Sequence, residues 1–186
     1  MGPCCRVHIG SRSGFMHGQA FEVGDLAVYP TEGVARVEAI ESRELGGTQA
    51  TFYVLRVLDN NMIVKVPITK VEKVGLRGLV EAEDIETVYE ILQTRELSVD
   101  QTTWNRRQRE YTEKIRTGSI FEVAEVMRDL CLLRTGKDLS FGERKMLDKA
   151  QGLLVKELSL ATETEVTEIQ AEFDAIFEGA SLESIA

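Results

Sequence analysis

The chain has 186 residues, 43% of them hydrophobic and 28% charged, with a formal net charge of -9 at pH 7 and a pI near 4.9. That is the composition of a folded globular protein of one large or two small domains, and it excludes fibrous and disordered classes. No run approaches the roughly 18 apolar residues of a spanning helix, and three cysteines are too few for the disulfide framework of a small secreted protein.

The first 18 residues carry Cys4, Cys5, His8 and His17 among Gly, Ser and Arg. Adjacent cysteines lack the two-residue spacer of a structural zinc site and no second ligand pair follows, so the segment reads as a flexible extension or a cloning remnant. It also lacks the apolar stretch of a secretory signal, which points to a cytoplasmic protein. Residues 19–186 contain no histidine, removing the usual general base and a common metal ligand. With no nucleophile–histidine arrangement, phosphate loop or dinucleotide fingerprint, the sequence reads as a non-enzyme without a cofactor.

Residues 22–79 read as strands. Leu26-Ala-Val-Tyr-Pro30 ends in proline, Gly33 opens a long run from Val34 to Leu45, and Gly46-Gly47 marks a tight turn. Thr51 to Leu58 is rich in β-branched and aromatic residues, Asp59-Asn60-Asn61 supplies turn chemistry, and Met62-Ile-Val-Lys-Val-Pro67 returns. Short strands at this spacing predict a small barrel, with the strand containing Pro67 at an exposed edge open to strand addition. Lys65 lies at the centre of that edge and Arg43 near the end of the long strand. Gly75-Leu-Arg-Gly78 matches the GxxG clamp of KH domains superficially, but without the flanking helix it reads as a turn closing the barrel.

Helical periodicity begins near Val80. Ile85, Val88, Tyr89 and Leu92 share a face, and a helix over about Gln101 to Thr117 follows. Capping boxes at Ser119-Ile-Phe-Glu122, Ser140-Phe-Gly-Glu143 and Thr162-Glu-Thr-Glu165 predict three further helix starts, with Gly118 and Gly136 as stops and Cys131 buried. The expected fold class is therefore α+β: a small barrel over residues 19–79, then an all-α domain over 80–186.

Charge is segregated along the chain. Acids dominate Glu81 to Asp100 and everything after Ser159, whereas Trp104 to Gly118 carries Arg106, Arg107, Arg109, Lys114 and Arg116 against Glu110 and Glu113. A Trp beside clustered guanidiniums is either a helix anchor on a solvated face or a surface that stacks on bases while clamping phosphates.

Several segments together resemble the CarD and CarD N-terminal-like bacterial transcription regulators. They are Phe21-Glu-Val-Gly-Asp-Leu-Ala-Val-Tyr-Pro30, Phe52-Tyr-Val-Leu55, Pro67-Ile-Thr-Lys-Val71, Val74-Gly-Leu-Arg77, Thr103-Trp-Asn-Arg-Arg107, Phe121 to Leu130 and Leu139 to Leu147. The resemblance implies a Tudor-like (SH3-like) barrel that binds the RNA polymerase β subunit through Arg43, Val64, Lys65, Val66 and Pro67. It further implies a helical domain that contacts promoter DNA in the minor groove at the upstream edge of the bubble. There Trp104 acts as a wedge, with Arg106, Arg107 and Arg109 on the backbone. The implied protein is a monomeric, non-enzymatic stabiliser of the open promoter complex. Lys65 stands where some relatives carry arginine, implying a monodentate contact, and the absence of a zinc-binding or DNA-hook extension implies the short branch of the family. The competing reading is an adaptor whose barrel binds a partner strand while Trp104 is merely packed.

Overall fold

The computed structural model describes residues 21–45, 47–95, 103–136 and 138–183. The Cys4/Cys5 cluster and the beginning of the helix expected from Gln101 lie outside them.

Strands β1 (Leu26–Tyr29), β2 (Gly33–Leu45), β3 (Thr48–Val57) and β4 (Ile63–Pro67) form an antiparallel sheet in chain order. Leu45 pairs with Thr48 and Gly47 has φ +83, while Gly46, the other residue of the expected turn, lies outside the described residues. A register shift between Val37 and Ala39 bends the long β2, as an extra residue in one strand does, and the sheet curls into a half-barrel. One face buries Ala35, Val37, Tyr53, Leu55, Val57 and Val66. Phe21 meets Tyr53 edge-on at 5.7 Å and donates its N–H to the Tyr53 hydroxyl at 3.1 Å, which tacks the incoming chain to this core. A 3-10 turn (Ile68–Lys70) and the short helix α1 (Val71–Val74) follow β4, where the sequence reading has no helix.

Five helices succeed: α2 (Ala82–Gln93), α3 (Trp104–Thr117), α4 (Ile120–Gly136), α5 (Phe141–Thr162) and α6 (Val166–Glu183). The expected α+β architecture, a small curled sheet followed by helices, is what the chain adopts. Helix α4 is the hub, packed against α2, α3, α5 and α6 and burying Val123, Ala124, Val126, Met127, Leu130 and Cys131. Burial pushes the Cys131 thiol up to about 11. The apolar cluster of the sheet and that of the helices part between Leu76 and Val80. Among the described residues no helix is long and apolar enough to cross a membrane.

The capping signals divide. Ser140 caps α5 with a complete box: its hydroxyl accepts the Glu143 N–H, and the Glu143 carboxylate accepts the Ser140 N–H at 2.8 Å. At the start of α4, Glu122 instead accepts from the Thr117 hydroxyl. The box expected at Thr162 is corrected: α5 runs through Thr162, whose hydroxyl bonds back to the Leu158 carbonyl, and the chain turns at Glu163 with φ +55. Glu165 then offers its carbonyl to the first N–H groups of α6. Ser/Thr hydroxyls bond an i−4 carbonyl as readily as they cap, so the motif alone does not separate the last turn of one helix from the first of the next.

Two glycines test this geometry. Gly118 has φ +78, and a Cβ there would lie 2.8 Å from Pro30 Cγ. Gly152 is exposed inside α5 with nothing within 4 Å of a Cβ. Gly118→Ala should destabilise by at least about 1–2 kcal/mol, whereas Gly152→Ala should stabilise by about 1 kcal/mol; urea midpoints at unchanged slope measure both.

Candidate functional site

The residues singled out by sequence fall into two groups, one on the sheet and one where α3 meets α5. On the sheet, strand alternation sends Val64 and Val66 toward the barrel core, Val66 being 2% exposed, and points Lys65 outward with Ile63, which is 52% exposed. Strand β4 is terminal in the sheet, so Val64 and Val66 are available to a partner only through their backbone, while Lys65 and Pro67 present side chains.

Lys65 and Arg43 converge on one carboxylate. Lys65 Nζ donates to Glu41 Oε2 at 2.8 Å, and Arg43 donates to the same oxygen through Nη2 at 2.9 Å and Nε at 3.2 Å. The bond from Lys65, opposed by burial and aided by the one from Arg43, holds the Glu41 carboxyl below its ordinary range. Glu41 is absent from the sequence reading, although it lies two residues from Arg43 on the same strand and therefore on the same face. These ion pairs are solvent-exposed, a class in which the net stabilisation is small, so an incoming carboxylate can exchange with Glu41 at little cost.

The second group is built on the first turn of α5. Trp104 is half-buried, and its indole lies over Gly142 so closely that a Cβ there would sit 3.1 to 3.3 Å from the ring. One residue before Gly142, Phe141 is 80% exposed. Glycine is what admits the indole of Trp104 to the first turn of α5. Sequence reasoning missed Phe141; the signal available was a large apolar residue directly after an N-cap, a position that projects away from the helix.

The arginines split by helical phase. Residues 104, 107, 111 and 115 lie on one stripe of α3 and bury Arg107, Tyr111 and Ile115. Arg107 is 7% exposed and donates through Nη2 to Glu143 Oε1 at 2.7 Å. Arg107, expected on a DNA backbone, has its guanidinium facing inward here, where it joins α3 to α5. Arg106 and Arg109 face solvent, the former loosely paired with Glu110 at 3.4 Å, and Arg144 and Lys145 add exposed positive charge beside Phe141. Tyr111, beneath this layer, has its hydroxyl pKa raised by burial and by the neighbouring Asp129. Among the described residues no group of histidine, cysteine or carboxylate side chains is arranged to hold a metal.

Residues 21–80 match the family described as CarD-like/TRCF RID domain, and residues 87–174 match CarD, C-terminal domain. YdeB of Bacillus subtilis strain 168, a candidate transcription factor by its name, is 36% identical over 140 residues, covering 75% of this chain and 91% of that protein. Two solved structures from Myxococcus xanthus resemble the first part of the chain. CdnLNt is 47% identical over 39% of this chain and all of its own, with a TM-score of 0.31. The 72-residue N-terminal domain of CarD is 40% identical over 36% of this chain and 93% of its own, with a TM-score of 0.28.

Glu143 is 2% exposed and serves both the cap and Arg107. Glu143→Ala should therefore cost about 3 kcal/mol or more, the range for stranding one member of a buried pair. It should also shift native-state emission, because Trp104 is the single Trp. Exposed Arg144→Ala should leave both the urea midpoint and the emission maximum unchanged.

Proposed function

We propose, on the premise that this chain belongs to the CarD family of transcription regulators, that it binds the RNA polymerase β subunit through β4 and stabilises the open promoter complex with Trp104. The observation that carries this reading is the half-exposed indole of Trp104 beside exposed Phe141, flanked by the outward-facing Arg106 and Arg109 on an otherwise acidic protein. Its polymerase contact uses the open edge of β4, with Lys65 and Arg43 exchanging Glu41 for a partner carboxylate and Val64, Val66 and Pro67 lining the paired strand.

The two-part design follows from magnitudes. About two phosphate contacts, from Arg106 and Arg109, give a salt slope of about -2, far too little affinity to occupy a promoter alone. Docking on polymerase raises the local concentration at the upstream edge of the bubble to the millimolar range that tethering provides. There Trp104 enters the minor groove as a wedge while Arg106 and Arg109 hold the backbone. Base–aromatic stacking contributes roughly 1–3 kcal/mol, and about 1.4 kcal/mol is tenfold in an equilibrium. A single wedge thus accounts for an order-of-magnitude longer complex lifetime without any chemical step.

The adaptor reading has one observation in its favour, the packing of the Trp104 indole on Gly142. It requires that forked DNA leave Trp104 fluorescence unchanged, whereas the wedge reading requires a change.

The decisive measurement is the lifetime of a competitor-challenged open complex with cognate polymerase. Wild-type protein should lengthen it several-fold, and Trp104→Ala should abolish most of the gain while binding polymerase normally. Lys65→Glu should weaken polymerase binding by about tenfold or more. Wild-type-like binding by Lys65→Glu would remove β4 as the docking strand.

A further inference from the structure

The Gly75 to Gly78 segment, expected to close a barrel, adds a single bridge to β1 of the half-barrel, but its arginine does more. The Arg77 backbone extends the sheet: the Val28 N–H donates to the Arg77 carbonyl at 2.7 Å, and the Arg77 N–H donates to the Val28 carbonyl at 3.3 Å. Its side chain leaves the sheet altogether. Nη1 and Nη2 donate to Glu157 Oε1 and Oε2 of α5 at 2.5 and 2.9 Å, and Nε donates to the Gly118 carbonyl at the C-cap of α3 at 2.7 Å. Glu157 is 4% exposed and also accepts the Val80 N–H at 3.1 Å. One arginine thereby joins β1, through its backbone, to α3 and α5, through its guanidinium.

The surrounding seam is tight. A Cβ on Gly75 would lie 3.0 Å from the Thr117 carbonyl, and one on Gly33 would lie 3.2 Å from Leu153 Cδ2. The cavity left at this junction is only about 20 Å³, room for a water. Beside it Lys156 reaches Asp59 of the barrel at 3.5 Å.

We propose that Arg77 is an interdomain latch, a positioning residue that holds the Trp104 helix at a fixed angle to the docking strand. The proposal rests on the function read above, and it assigns to the seam a role in that function. Helix α3 spans 14 residues from Trp104 to Thr117, about 21 Å at 1.5 Å per residue, and the latch grips its far end. A tilt of only about 10° there displaces Trp104 by about 3.5 Å, one full base step along a strand. A wedge that must enter one junction loses its register on that scale. Arginine suits the task because its fork grips both carboxylate oxygens while a third N–H reaches Gly118; a lysine at this position has no such fixed geometry.

The experiment uses the full chain with Cys4→Ser and Cys5→Ser, leaving buried Cys131 in place. Spin labels on Gln49→Cys and Thr112→Cys, both exposed, report the distribution of distances between sheet and α3. Arg77→Ala should broaden that distribution, bind polymerase within about twofold of wild type, and lower the open-complex lifetime to the Trp104→Ala level. A short bismaleimide bridge between Asp59→Cys and Lys156→Cys, introduced into the unlabelled Arg77→Ala protein, should restore the lifetime. If Arg77→Ala does not fold, Glu157→Gln takes its place with the same expectations. An unchanged distance distribution, or a lifetime that stays at the wild-type value, overturns the latch. A lifetime lost but not restored by the bridge also overturns it, reducing Arg77 to general stability. If wild-type protein fails to lengthen the lifetime at all, the open-complex reading fails separately, and the distance distribution still decides whether Arg77 fixes the domains.

Discussion

Two carboxylates buried on α5 hold the working parts of this protein together. Glu143, at the helix start, grips Arg107 near the N-terminus of α3, and Glu157, 14 residues on, grips Arg77 beside the α3 C-cap. The separation along α5 is about 21 Å, which equals the length of α3. Helix α3 is therefore held at both ends from one rigid spine, with α4 packed against both helices. Burying charge is costly, and an apolar filling is often as stable or more so, so these pairs are weak evidence for stability as such. What they supply is direction: a guanidinium–carboxylate fork fixes angle as well as distance, which a greasy contact does not.

The same economy of charge governs the surface. A protein of net charge -9 is repelled by DNA as a whole, and the exposed Arg106 and Arg109 near Trp104 are a local exception to that field. On the sheet the two outward cations share Glu41, so the free protein presents little uncompensated positive field there. In the docking proposed above, a partner would bring a carboxylate together with a strand to add along β4. On the proposed function, weak contacts at two separated places, neither sufficient alone, would make the combined complex the favoured state.

Helical phase explains how neighbouring arginines part company. Arg106 and Arg107 are adjacent in sequence, yet a 100° rotation puts one in solvent and the other on the buried stripe with Tyr111 and Ile115. Gly142 is a comparable case at the level of single atoms, since its missing side chain is the space the Trp104 indole occupies.

Local chemistry was legible in the sequence wherever one segment decides the outcome alone. Strand alternation, the Ser140–Glu143 box and the burial of Cys131 depend on residues within a few positions of one another, and each was readable. Where two local rules compete, as at Thr162, the sequence misled, because capping and back-bonding use the same hydroxyl. The pairings across the chain were not readable: Arg77 with Glu157 spans 80 residues, Arg107 with Glu143 spans 36, and Glu41 with Lys65 spans 24. Helical phase marks Arg107 as sharing a stripe with Tyr111 and Ile115, but nothing in composition or periodicity names the carboxylate that each guanidinium will meet. The sequence by itself determined the elements and the local density of positive charge around Trp104; only the tertiary structure decided which of those charges remain outside, because burial is set by what other segments bring to the same place.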